Sequence, residues 1–212
     1  MSTSQQTACL FTISAPSGAG KTSLLKALLQ RKPDAFTVCV SHATREKRPG
    51  EVNGKDYNFV SVEKFESMVD ADEFLEHAKV FDNYYGTARQ SAETLLQQGK
   101  NVILEIDWQG ARQIKMKLPD TISVFILPPS RETLLQRLTD RATDDESIIQ
   151  RRMQEADRDM SHYGDAEYLI INDDFEQAIY DLECLIHSQG LTKFRQKLKN
   201  RDLIASIPQE KV

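Results

Sequence analysis

The stretch Ala15-Pro16-Ser17-Gly18-Ala19-Gly20-Lys21-Thr22, "APSGAGKT", decides the fold. In the pattern G-x-x-x-x-G-K-[ST], backbone N–H groups and the N-terminus of the following helix cradle phosphate oxygens. The lysine reaches the β/γ-phosphates and the hydroxyl supports Mg²⁺. Gly20, Lys21 and Thr22 hold their places here, and Ala15 stands where the first glycine belongs. Alanine serves at that position as long as its φ stays negative. The loop is preceded by the short apolar run 9–13, "CLFTI", and followed by 23–29, "SLLKALL", which has helical spacing. Strand, loop and helix in that order are the context such a motif requires. The expected contacts to a nucleoside triphosphate, ATP with Mg²⁺, are Ala15, Pro16, Ser17, Gly18, Ala19, Gly20, Lys21, Thr22 and Ser23.

Farther along the chain, the apolar runs 101–106, 121–127 and 168–171 read as buried strands. Helical patterns lie between and after them, over 90–98, 111–117, 131–141 and 175–187. Near-continuous apolar strands alternating with helices predict the α/β class, with a parallel sheet covered on both faces. Two segments break the rhythm. Segment 41–86 carries Asn53-Gly54, a hairpin signal, and reads as a small, mostly β insertion. Segment 131–161 is helical and rich in arginine, and the tail from 191 to 212 reads as a further helix.

With 212 residues and 40% hydrophobic content, the chain can bury a core of one domain or of one domain with lobes. Its 27 basic and 32 acidic residues give a net charge of −5, which argues against general affinity for nucleic acid or for an anionic membrane. Any anion site must therefore be a local cluster. The N-terminus has no basic region followed by a long apolar run, and no apolar stretch is long enough to span a bilayer, so a cytoplasmic protein is expected. Cys9, Cys39 and Cys184 suggest neither a disulfide framework nor a zinc site, and the four histidines lack metal-ligand spacing. Self-association is left open by these features.

The insertion offers the acceptor side of a reaction. Arg45 and Arg48, followed by Tyr57, suit a phosphate clamp, because guanidinium forks match phosphate oxygens and a phenol can donate a further bond, although on charge alone a solvated charged loop is the favoured reading. The motifs "SHATREKRPGEVNGKDYNFV", "FLEHAKVFDNYYGT", "ILEIDWQG" and "YLIINDD", in order behind the phosphate loop, resemble those of the guanylate kinase family from about residue 10 to about residue 187. The resemblance implies transfer of the γ-phosphoryl group of ATP to GMP, giving ADP and GDP, in purine metabolism. It implies a P-loop NTPase three-layer α/β/α fold with a parallel core sheet, a GMP-binding insertion and a helical lid. The corresponding division is 1–39, 90–130 and 162–212 for the ATP-binding core, 40–89 for the GMP subdomain and 131–161 for the lid.

Carried over by that resemblance, Ser41, Arg45, Arg48, Tyr57 and Tyr85 would hold the GMP phosphate or its surroundings, and Glu76, Thr87 and Asp107 would face guanine. Guanine presents N1–H and N2–H₂ as adjacent donors, which suit a carboxylate, whereas adenine has an acceptor at N1. A metal-side role near Mg²⁺ competes with guanine contact for Asp107. The catalytic cations would be Lys21 and Arg45 with the lid arginines Arg137, Arg141 and Arg152. Asn172 would lie beside adenine, while either aspartate of Asn172-Asp173-Asp174 can cap the next helix. Ala142 replaces the family's usual glycine, and Glu105 its usual aspartate. The competing readings are a non-catalytic module of this family, which would have a degraded phosphate loop, and a kinase acting on another acceptor.

Overall fold

The structure, a computed structural model, describes residues 8–80, 82–140 and 146–208. Strand β1 (Leu10–Ser14) is buried along its whole length and runs through the 15–20 loop into helix α1 (Lys21–Arg31). Strand β2 (Phe36–Val38) follows. The chain then leaves for a second sheet built from β3 (His42–Ala43), β4 (Asn58–Phe59), β5 (Phe74–Val80) and β6 (Asn83–Ala88), with helix α2 (Val62–Asp70) between β4 and β5. It returns through α3 (Arg89–Gln97), β7 (Asn101–Glu105), α4 (Trp108–Lys117) and β8 (Ile122–Leu127). Helices α5 (Arg131–Thr139) and α6 (Glu146–Met160) and one 3₁₀ turn (Tyr163–Asp165) precede β9 (Tyr168–Ile171), α7 (Phe175–Gly190), α8 (Lys193–Lys199) and α9 (Arg201–Ser206).

The first sheet has the order β2-β7-β1-β8-β9 and is parallel throughout. Alternation along its strands feeds two apolar layers. Phe11 and Ile13 of β1 and Ile103 of β7 turn to one face, where Leu24, Leu25 and Leu28 of α1 and Ile179, Leu182 and Ile186 of α7 cover them. Leu10 of β1 and Val102 and Leu104 of β7 turn to the other, against Ala92 of α3 and Ile114 of α4. Each such side chain contributes roughly 1.5–3 kcal/mol on burial. The result is the three-layer α/β/α arrangement.

Four local readings are corrected. The sheet has a fifth strand, β2, too short to give a periodic signal. Segment 41–86 contains helix α2, capped by Ser61, whose hydroxyl accepts from Lys64 N; its Phe65 and Met68 face inward against Phe74. Asn53-Gly54 makes no hairpin: Gly54 turns the chain at φ 78°, and β3 and β4 on either side of this loop pair in parallel. The antiparallel hairpin is β5–β6. The tail forms two short helices with no buried residues rather than one.

The small sheet is tied to the core through its edge strand. The Gln113 side chain on α4 completes the edge of β5, accepting from His77 N at 3.2 Å and donating to His77 O at 2.8 Å. Lys117 Nζ donates to Leu75 O at 2.6 Å. These bonds fix where β5 delivers its next polar residue, Glu76.

Candidate active site

A cleft of about 280 Å³ opens where β1 and β7 end and the small sheet leans over them. Ligands favour this place in open α/β sheets, at the carboxyl ends of the strands. Of the nine expected loop contacts, Ala19 alone does not line the cleft; its methyl is buried in the core. Ala15 keeps a negative φ, as alanine must there. At Gly20 φ is 91°, and a Cβ would sit 2.4 Å from Asn172 Nδ2, so only glycine fits.

Asn172 is 4% exposed and does not line the cleft. Its amide donates to Ala19 O at 2.7 Å, and its carbonyl O accepts from Arg137 Nη2 at 3.0 Å. The residue braces the phosphate loop from behind, where its expected place was beside adenine. Asp174 is the cap of α7, accepting from Gln177 N.

Lys21 Nζ donates to Ile106 O at 3.0 Å, holding the cation across the mouth of the cleft. Thr22 Oγ1 donates to Glu105 Oε1 at 2.5 Å. Glu105, longer than the family's usual aspartate by one methylene, thus meets the loop's hydroxyl directly.

On the opposite wall, Arg45 and Arg48 line the cleft with Tyr57 and Tyr85. Glu51 holds Arg45 in a two-pronged pair, at 2.7 and 2.6 Å, and also accepts from Arg48 N at 2.8 Å. The Arg45 bonds hold the Glu51 carboxyl down at about 2, and the same pair raises Arg45. The guanidinium also lies 5.0 Å from the Tyr57 ring centre and 5.3 Å from that of Phe59. Burial, then the Glu105 charge, pushes the Tyr57 hydroxyl up to about 12, so it remains a proton donor.

Deeper in the cleft sits Glu76, 3% exposed. A bulge between Phe74 and Glu76 places Phe74 opposite Ala88 and Glu76 opposite Thr87. Such an irregularity re-aims side chains: Phe74 and Leu75 enter two apolar clusters while Glu76 turns into the site. Thr87 is fully buried behind it, bonded to Glu76 and 3.1 Å from the Ser41 hydroxyl. Thr87 therefore supports the wall formed by Ser41 and Glu76. Gly110 on α4 leaves room for the carboxylate: a Cβ there would lie 2.5 Å from Glu76 Oε2. Burial first, with the Asp107 charge adding, raises the Glu76 carboxyl to about 7. Asp107 itself caps α4, accepting from Gly110 N at 2.9 Å through Oδ1 and from Gln109 Nε2 at 3.0 Å through Oδ2. Its carboxylate borders the cleft, but both oxygens are engaged in shaping the helix start.

The arginines of 131–161 divide. Arg152 Nη2 donates to the Ser17 hydroxyl at 3.2 Å, touching the phosphate loop. Arg137 is anchored on Asn172, and its Nη1 is buried with no hydrogen-bond partner among the described residues. Arg131 pairs with Asp157 away from the cleft. Arg141, expected as a lid cation, lies outside the described residues. Two charged residues at the site were not singled out from the sequence: Glu51, inside the quoted arginine motif and paired with Arg45, and Asp159, which lines the cleft from α6.

Fold and cleft together define a P-loop phosphotransferase that faces a nucleotide-sized acceptor pocket. The guanylate kinase family model matches residues 8–189. A guanylate kinase from Methylococcus capsulatus is 53% identical over 198 residues, covering 93% of this chain and 97% of the relative. One from Chromohalobacter salexigens is 52% identical over 198 residues, covering 93% and 92%. Among solved structures, guanylate kinase from Anaplasma phagocytophilum superposes with a TM-score of 0.73 at 29% identity, covering 95% of this chain and 98% of that one. The chain belongs to the guanylate kinase family.

Proposed function

We propose that this chain transfers the γ-phosphoryl group of ATP to GMP, yielding ADP and GDP. The observation that carries the reading is Glu76. It is a carboxylate buried in the same cleft as an intact phosphate loop, with an arginine and tyrosine phosphate clamp between the two. A buried hydrogen-bonding site of this kind discriminates strongly, because a wrong base leaves its polar groups unpaired. Guanine N1–H and N2–H₂ would bond Glu76, with Ser41 and Asp107 alongside. Arg45, Arg48, Tyr57 and Tyr85 would hold the acceptor phosphate.

Phosphoryl transfer depends on in-line placement and charge neutralisation more than on a dedicated base. Lys21 would exchange its bond to Ile106 O for a phosphate oxygen of ATP. Arg152, already at Ser17, and Arg137, with its unused Nη1, would approach the transferring group, joined by Arg141. Segments 40–89 and 131–161 would close over the 1–39, 90–130 and 162–212 core and exclude water.

The oxygens of Thr22 and Glu105 fit Mg²⁺, which prefers hard ligands and takes one or two protein groups beside substrate phosphates and water. No cluster of three or more His, Cys, Asp or Glu among the described residues could hold a metal by itself, which accords with a metal that arrives with ATP. Its chemistry would be neutralisation of phosphate charge. No helix among the described residues is long and apolar enough to cross a membrane, and a cytoplasmic site of action suits an enzyme supplied with ATP.

The test is a coupled assay of ADP formation with GMP, AMP, CMP and UMP as acceptors. GMP should be used at least a hundredfold better than AMP; equal use of AMP, or no GDP formed, would overturn the assignment.

A further inference from the structure

Helix α6 carries Arg152 to the phosphate loop. Met153 and Ala156 bury against Leu134 and Leu138 of α5, and the Arg131–Asp157 pair joins the same two helices. These contacts bind α5 to α6 as a unit, and α5 meets the core through Leu134 and Leu138 over Gly18 and through Arg137 Nη2, which donates to Asn172 O. At the α6 end two polar contacts reach the core, beside a longer Arg151–Asp82 ion pair at 3.9 Å to the small sheet. One is Arg152 Nη2 to the Ser17 hydroxyl. The other comes seven positions later on the same helix face, about 10 Å along the axis. There Asp159 Oδ1 accepts from Trp108 Nε1 at 3.1 Å.

Trp108 is the first residue of α4, next to its cap Asp107 and two residues before Gly110, the two residues that border Glu76. Its outer face is closed by His162, stacked with ring centres 3.5 Å apart and planes 7° apart. The indole is therefore gripped on its face and its edge by the end of α6 and the turn that follows. Asp159 is otherwise costly where it stands: burial and the nearby Asp107 charge raise its carboxyl to about 6. A carboxylate kept in such a place in the cleft wall needs a role there.

We propose that Asp159 is a positioning residue: through its bond to Trp108 it latches the arginine-bearing helix to the first turn of α4, so that base-pocket geometry and the seat of Arg152 on the phosphate loop are set together. This rests on the phosphotransfer reading above. When the latch is cut, α6 keeps its packing on α5 but swings, and Arg152 is displaced from the transferring group. The loss then falls on turnover more than on GMP binding. Because the tie is a hydrogen bond to one oxygen, Asp159→Asn can preserve it.

The experiment compares Asp159→Ala, Asp159→Asn, Trp108→Phe and the Ala/Phe double variant, by steady-state kinetics with ATP and GMP and by intrinsic fluorescence. Trp108 is the chain's single tryptophan, so its emission reports the surroundings of this one indole, the Asp159 bond and the His162 stack. We expect kcat to fall about tenfold in Asp159→Ala and in Trp108→Phe, as for loss of one hydrogen bond to a charged group. KM for GMP should change by less than about threefold, Asp159→Asn should stay within about threefold of the parent, and the double variant should be no worse than either single change. Asp159→Ala should also shift Trp108 emission without substrate. The proposal is overturned if Asp159→Ala keeps parental kcat and emission, if the two single losses multiply in the double variant, or if Asp159→Asn is as impaired as Asp159→Ala. If Asp159→Ala does not fold, Trp108→Phe, which retains a ring for His162 to stack on, decides the kinetic question. Were the parent inactive toward GMP, the phosphotransfer reading would fail, while the emission of Asp159→Ala would still judge the latch.

Discussion

Glu76 should make GMP binding depend on pH near neutrality. Its carboxyl, raised to about 7 by burial with the help of Asp107, is largely protonated in the free protein at pH 6. Guanine offers that position donors only, so the acid must ionise before GMP is held. With a value near 7, about a tenth of the protein is competent at pH 6 and about nine-tenths at pH 8, so KM for GMP should be about tenfold higher at pH 6. The phosphate of GMP also titrates near 6, and Glu76→Gln separates the two effects. In the variant KM should be high at both values and retain only the phosphate contribution to the slope, because the glutamine NH₂ faces guanine N2–H₂ donor to donor. Calorimetry at pH 7 in two buffers of different ionisation enthalpy should count about half a proton released per GMP bound.

The same shift predicts the stability of the free protein. The folded state binds this proton more tightly than the unfolded chain, so stability present at low pH is lost as pH rises. The loss runs at about 1.4 kcal/mol per pH unit from the ordinary carboxylate range up to 7, about 3 kcal/mol in all, and stops above 7. Glu76→Gln should therefore gain on the parent across that window in urea midpoints. A parent KM no steeper with pH than the variant's, with no buffer-dependent heat, would refute the reasoning.

Three further outcomes can be checked. Lys21→Met should lower kcat by at least about a thousandfold, consistent with loss of transition-state charge stabilisation, while circular dichroism stays unchanged, since among the described residues the lysine's hydrogen bond is to a single backbone oxygen, Ile106 O. Glu51→Gln should raise KM for GMP about tenfold and leave KM for ATP within twofold, because Arg45 loses a charged, two-pronged partner; equal effects on both substrates would contradict a role confined to the acceptor side. Small-angle scattering should give a smaller radius of gyration with both nucleotides bound than with neither, and an unchanged radius would count against closure of the two lobes.

The parallel core was legible because its strands are buried on both faces and therefore read as unbroken apolar runs between helices. The phosphate loop was legible because its chemistry constrains residue types at fixed spacing. Strand β2, at three residues, is too short for any period to register. The misread hairpin at Asn53-Gly54 shows the limit of a local signal: the dipeptide specifies a left-handed turn, and a left-handed turn can close a loop as well as a hairpin. Glu51 and Asp159 were missed for a different reason. Each acts on a partner placed by the fold, Arg45 across a loop and Trp108 on another helix, and neither position carries a pattern of its own. Asn172 was read as part of the nucleotide pocket, and only the packed structure reveals that its amide is spent on Ala19 O.

That brace has a consequence for the order in which the protein can become active during synthesis. The phosphate loop leaves the ribosome well before the amide that holds it, which arrives 153 residues later. At translation rates of about 5–20 residues per second, roughly eight to thirty seconds separate the two. Through that interval a nascent chain has the recognisable phosphate motif without the fixed geometry, and it should neither hold triphosphate tightly nor hydrolyse it. Activity is thereby reserved for chains in which the last strand of the sheet has docked.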